Sequence, residues 1–229
     1  MMRRLPWLPV LVAALGLALP AQAGPLAGLA KEQGNGSRFT MQAQGSTYDM
    51  QIGLVKVDQA SGLVTVEVFA AAQLADPLWQ QFTLSTTGAR PKIENGYIQV
   101  GNKAPMKLQD KHLAGTSSLD INLFLLSESE LRKDTMGALK PVGQEVVKTK
   151  AGEVQCGHYR MERPEQTLDL WISDEARPIG LIRLVSTGKK PADNYRLELQ
   201  ELLSGIAAKI DPKRAVPLSD EMKTLLSRP

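Results

Sequence analysis

Cys156 and His158 are the residues whose types and spacing most invite chemistry. Two apart on a strand, they face the same way, with Cα atoms ~6.5 Å apart. Nucleophilic catalysis would need the imidazole within hydrogen-bond reach of the thiol and a third group to orient it. Asp169 is the carboxylate that a hairpin could bring up to them. A zinc site would want three or four ligands. The cysteines and histidines of the chain end with Cys156, His158 and the distant His112, so carboxylates would have to complete such a set. The alternative is a small apolar cysteine buried in a sheet, beside a histidine satisfied by its neighbours. A lone cysteine in an exported chain can also pair between molecules. Trp171, next but one to Asp169, could stack on a sugar or a partner, or lie half-buried. Glu145 and Glu153 flank one turn and would repel across it unless Lys148 or Lys150 intervened. No phosphate-binding glycine loop, G-x-S-x-G elbow or H-E-x-x-H is present. Cys156, His158 and Trp171 therefore stand as candidates to test. No catalytic, metal-ligating or ligand-binding residue is assigned, and no cofactor is expected.

The elements that must position these residues lie in 142–203, which reads as five strands joined by short turns, an antiparallel meander. In its second strand Val154, Cys156 and His158 share one face and Gln155, Gly157 and Tyr159 the other. In the third, Leu168, Leu170 and Ile172 oppose Asp169 and Trp171. In the last, Tyr195, Leu197 and Leu199 oppose Arg196, Glu198 and Gln200. One apolar and one wettable face per strand suits an antiparallel sheet. Pro178 is expected at a strand start, where its missing N–H is tolerated.

Upstream, strands are expected at 38–44, 47–57 and 63–69, the last with Val64, Val66 and Val68 opposing Thr65 and Glu67. Asp76-Pro77 reads as a helix start, with Leu78 and Phe82 at i, i+4, in competition with a strand at 82–85. A loop is expected over 88–96 and short strands over 97–100 and 106–109. An apolar extended segment at 119–126 precedes a capping box, Ser127 to Glu130. Ser219-Asp220-Glu221 predicts a short last helix with Met222, Leu225 and Leu226 as its stripe. The fold class is mainly β: one large curved antiparallel sheet, half-barrel or barrel, with two or three short helices. The expected organisation is a signal peptide over 1–23, a flexible lead over 24–36, a single β-rich domain over 37–211 and a tail with a short helix over 212–229.

The compartment is read from the start of the chain. Arg3 and Arg4, an apolar run to Leu19 and then Ala21-Gln22-Ala23 form a signal-peptide pattern with cleavage after Ala23. No cysteine stands at that site to carry a lipid, so the expected product is periplasmic and not a lipoprotein. Cleavage removes Arg3 and Arg4 and no acid, lowering the formal charge from +3 to +1. Charge so near balance leaves no footprint for nucleic acid. No later segment approaches membrane-spanning length, so no transmembrane span is expected after cleavage.

The meander carries Gly143-x-Glu145-x-Val147-x-Thr149-x-Ala151-Gly152, then Cys156-x-His158-Tyr159, Trp171-Ile172-Ser173 and Pro178-Ile179-Gly180-Leu181-Ile182. This pattern resembles a group of uncharacterised bacterial periplasmic β-rich proteins. The overall plan, a signal followed by a long curved sheet with short helices, is similar to the lipoprotein and lipid carriers of the LolA/LppX type. That resemblance implies a non-enzymatic protein that binds or carries an apolar ligand, such as a lipid or a lipidated chain, and transfers no residue role. The methionines at 41, 50, 106, 136, 161 and 222 suit an adaptable apolar cavity as well as an ordinary core. The alternative expectation is a structural or assembly component that pairs with an envelope protein through its sheet. A metal or thiol site at Cys156/His158 is the third.

Overall fold

The computed structural model describes residues 26–72, 76–86, 92–109, 113, 139–162, 164–176 and 178–226. The leader and the segment around 119–130 with its capping box lie outside them, as do His112 and Met136. Twelve strands form one sheet. In chain order they are β1 (Gly36–Ala43), β2 (Ser46–Asp58), β3 (Leu63–Ala72), β4 (Leu78–Ser85), β5 (Lys92–Val100), β6 (Met106–Lys107), β7 (Lys140–Thr149), β8 (Gly152–Glu162), β9 (Gln166–Ile172), β10 (Leu181–Gly188), β11 (Tyr195–Leu203) and β12 (Val216–Pro217). Helix α1 (Leu26–Lys31) precedes them and α2 (Asp220–Leu226) follows.

The spatial order is β12-β6-β5-β4-β3-β2-β1-β11-β10-β9-β8-β7. Two consecutive meanders, β1 to β6 and β7 to β11, are thus zipped together by antiparallel pairing of β1 with β11. The β12–β6 pair is parallel. The first hairpin turns at Gln44 and Gly45, both at positive φ (51° and 73°), the backbone a two-residue turn needs to match strand twist. The sheet stays open, with β7 and β12 as its two ends. It curves strongly at the β7 end: β7 lies close to β11 although three strands stand between them in the order.

Period-2 patterning builds the core. Tyr48, Met41, Leu197, Leu184, Leu170 and Tyr159 stand opposite one another in a row across β2, β1, β11, β10, β9 and β8. All six are buried. Val64, Val66 and Val68 point the same way on β3, as their alternation predicts. From the C-terminal end, Leu218 and Met222 join the same apolar cluster. Helix α2 begins as expected, with the Ser219 hydroxyl accepting from the Met222 amide at 3.2 Å.

Four local expectations are corrected. The segment after Pro77 is strand, not helix, because Leu78, Gln80, Phe82 and Leu84 alternate inward and pair with both β3 and β5; an i, i+4 apolar pair satisfies period 2 as well as a helix. Strand β5 starts at Lys92, inside the expected loop. Strand β10 starts at Leu181 rather than at Pro178, since Gly180 still closes a loop by accepting from the Ser173 amide at 2.8 Å. The tail supplies β12 beside β6, which its polar composition hides.

Candidate functional site

On the face opposite the core, the same registers align Glu198, Arg183, Trp171 and His158 across β11, β10, β9 and β8. Side chains directly opposite on neighbouring strands stand about 5 Å apart, and the row is built of contacts at that spacing. The His158 and Trp171 rings stack with centroids 4.3 Å apart and planes 14° apart. The Arg183 guanidinium sits 5.5 Å from the Trp171 ring centre and donates to Glu198 at 2.7 Å. Arg183 also donates to the Lys148 carbonyl at 3.4 Å, from β10 to β7 across the curled end of the sheet.

Glu145 closes the row from β7. Its Oε1 accepts from Trp171 Nε1 at 2.6 Å and lies 3.0 Å from His158 Nδ1. On the other side of the ring, Asp169 Oδ1 is 2.7 Å from His158 Nε2 and accepts from Arg160 Nε at 2.9 Å. The Asp169 hydrogen bond, and then its charge, holds the Arg160 guanidinium above its usual value. Burial alone would raise the Glu198 carboxyl, but the hydrogen bond and charge of Arg183, with the charge of Arg196, outweigh it and hold Glu198 below its usual range.

The structure sets Asp169 against His158 across the β8–β9 hairpin, stacks Trp171 on the same ring, and adds Glu145, Arg183 and Glu198. The Cys156 thiol is fully buried and donates to the Val154 carbonyl at 3.4 Å. Both His158 ring nitrogens are engaged by carboxylates, which leaves neither to take a proton from sulfur. Burial also removes Cys156 from pairing between chains. Glu145 and Glu153 do not meet: Glu153 pairs with Lys148 at 2.9 Å. Among the described residues, no three His, Cys, Asp or Glu side chains group as metal ligands. The charges of the cluster are matched within it, and its contacts tie five strands, β7 to β11, into one brace.

Two further features lie elsewhere. After β11 the chain crosses the face opposite the core, and the strap is held by Glu67 on β3. This buried carboxylate accepts from the amides of Lys209 and Ile210 and from Gln81 Nε2, each at 2.8 Å. Ile206 of the strap packs onto Gly36 and Gly53, where any side chain would collide with it. The strap then reaches β12, and a cavity of about 660 Å³ opens between β5, β6 and the C-terminal segment. Leu108 and Leu218 wall it together with Tyr97, Lys107, Ala215 and Val216. Leu108 and Leu218 also belong to the main apolar cluster. The sequence signal for Glu67 was its acid type at a strand position between Val66 and Val68; no local pattern marks the amides that it binds.

No protein-family model and no curated protein matches the chain. Among solved structures it is similar to a protein of Bacteroides fragilis with a YmcC-like fold, at 12% identity and a TM-score of 0.40, over 74% of this chain and 95% of that one. It is also similar to the MucB of the Pseudomonas aeruginosa MucA/MucB complex, at 16% identity and a TM-score of 0.42, over 86% of this chain and 62% of that one. MucB crystallised with MucA(peri) matches at 14% identity and a TM-score of 0.41, over 84% of this chain and 58% of that one. The chain thus spans about three fifths of MucB. Among the described residues, no helix is long and apolar enough to cross a membrane.

Proposed function

We propose that this chain is an exported, non-catalytic protein that binds or carries an apolar ligand, a lipid or a lipidated chain, against the apolar face of its open sheet. The observation that carries the reading is the cavity beside β6 and β12, whose walls include Leu108 and Leu218 of the main core. A ligand seated there touches the edges of Leu108 and Leu218, which are otherwise buried, beside the polar groups of Tyr97 and Lys107. The volume is in the range of small-molecule sites, ~300–1,000 Å³, and burial of apolar surface at ~25 cal/mol per Å² supplies the affinity. Met41, Met50, Met106 and Met161 from the strands and Met222 from α2 give the core unbranched, adaptable side chains that can repack around a guest. Lys107 and Tyr97 offer polar contacts to the head of an amphipathic ligand.

The experiment is uptake of a fluorescent fatty acid by wild type and by Ala215→Trp, which fills the cavity from a partly exposed wall position. The expected result is saturable uptake by wild type, lost in the variant with its melting temperature unchanged. No uptake by wild type, or equal uptake by both, overturns the reading. The competing reading, an assembly component of an envelope complex, is favoured by one feature: β7 is a long edge strand exposed along most of its length.

A further inference from the structure

We infer that His158 is a pH-operated catch on the curled end of the sheet: as an imidazolium it binds Glu145 of β7 and Asp169 of β9 at once, and on losing a proton it releases Glu145 and, with it, Trp171. The inference does not rest on the carrier reading. An imidazole has two ring nitrogens, and only its charged form donates from both. Here each nitrogen meets a carboxylate oxygen, Nδ1 that of Glu145 at 3.0 Å and Nε2 that of Asp169 at 2.7 Å. A carboxylate can only accept, so either neutral tautomer would set a ring lone pair against an oxygen at one of these distances. The His158 side chain is 12% exposed and lies flat on Trp171, so it has little freedom to turn a bare nitrogen to water.

The charged neighbours come from every strand packed around the ring. Glu145 stands on β7, Asp169 on β9 and Glu198 on β11, against Arg160 on β8 and Arg183 on β10. The imidazolium is the third cation to these three carboxylates. Arg196, also on β11, holds the other oxygen of Glu198 at 2.9 Å. The row therefore favours the charged ring, whose contribution to stability is present at low pH and is lost as the pH rises and the ring gives up its proton. Histidine is the side chain that ordinarily changes charge between roughly pH 5 and 8.

The two carboxylates are not held equally. Asp169 is 17% exposed, and both of its oxygens accept from Arg160, at 2.9 and 3.3 Å. Glu145 is 47% exposed, and among the described residues His158 is the cation that pairs with it. The neutral ring therefore keeps its proton on Nε2 for Asp169, and Glu145 turns to water. The Glu145 oxygen that faces Nδ1 is also the one that accepts from Trp171 Nε1 at 2.6 Å. One movement thus breaks both contacts. The Glu145–Trp171 bond joins β7 to β9 across β8, so its loss slackens the curl. The Arg183 contact to the Lys148 carbonyl, longer at 3.4 Å, is left to draw β7 toward β10.

The test is NMR of the full exported chain, labelled with nitrogen-15 at histidine and tryptophan and followed over that pH range. Glu145→Ala accompanies wild type, and His158→Gln assigns the ring signals. The expected result at the acid end is a proton on both His158 nitrogens. As the pH rises, Nδ1 loses its proton while Nε2 keeps it, and the Trp171 indole N–H moves in step to the position of a water-exposed indole. Trp79, on β4, stays in place as the internal reference. In Glu145→Ala, a change at an exposed side chain, the Trp171 indole already stands at the exposed position at the acid end. A ring that carries one proton throughout overturns the inference, as does a proton lost from Nε2 instead. So does a Trp171 indole that keeps its acid position while His158 loses its proton, or one that makes the full movement in Glu145→Ala.

Discussion

Glu67→Gln tests whether the strap after β11 is held by a carboxylate or merely lies against the sheet. Glu67 Oε1 accepts from Gln81 Nε2 and from the Ile210 amide, and Oε2 accepts from the Lys209 amide. All three partners are donors, and a carboxylate is the side chain that can only accept. A glutamine keeps one acceptor and turns an NH2 toward a donor. Its cheaper orientation keeps the two Oε1 contacts and sets N–H against the Lys209 amide. One partly buried amide is then unpaired, at up to ~1–3 kcal/mol, and the two remaining bonds lose their charge assistance. Relief from burying a charge offsets part of this. The expected loss is about 2 kcal/mol, or ~4–8 °C in melting temperature for a chain of this size. Urea unfolding gives the magnitude. Hydrogen exchange localises it, with faster exchange at the Lys209 and Ile210 amides than at core strands. A Glu67→Gln variant within ~0.5 kcal/mol of wild type, the range of an ordinary surface change, would refute the reasoning.

Two more predictions address the opposite face. Glu198 is held below its usual value, near 4.5 for a free glutamate, so its contribution to stability is complete above that value and is lost as the pH falls through the native one. Glu198→Gln is therefore less stable than wild type at neutral pH, and unfolding curves show the gap closing under acid; a gap that widened on acidification would contradict the assignment. Gly36→Ala drives a Cβ into the Ile52 carbonyl oxygen, whereas one at Gly143 meets nothing within 4 Å. Thermal melts of the two variants should show a loss of ~1–3 kcal/mol or more for Gly36→Ala and almost none for Gly143→Ala; equal losses would refute the close packing of β1 on β2.

The strands were legible where side chains alternate. Val64 to Val68, Leu168 to Ile172 and Tyr195 to Leu199 fall on the faces that their alternation dictates, because in a strand pointing direction follows parity. The order of strands was not legible. Pairing of β1 with β11 joins residues more than 150 positions apart, and no local pattern states which edge accepts which. The same limit hid most of the polar row. Cys156, His158 and Trp171 drew notice by type, and Asp169 by proximity, but Arg183 and Glu198 read as ordinary wettable positions until the register placed them beside Trp171. Glu67 looked solvent-facing by alternation, and it is buried by a strap that arrives from position 209. Leu78 and Phe82 show the converse failure, where a spacing shared by helix and strand was decided by neighbours on both sides.

The most direct measurement is native mass spectrometry of the exported chain purified from periplasm without detergent, with an organic extract of the same sample. The account predicts added mass that extracts as lipid and is absent from Ala215→Trp. A bare polypeptide mass in wild type, with nothing lipid-like in the extract, would contradict it.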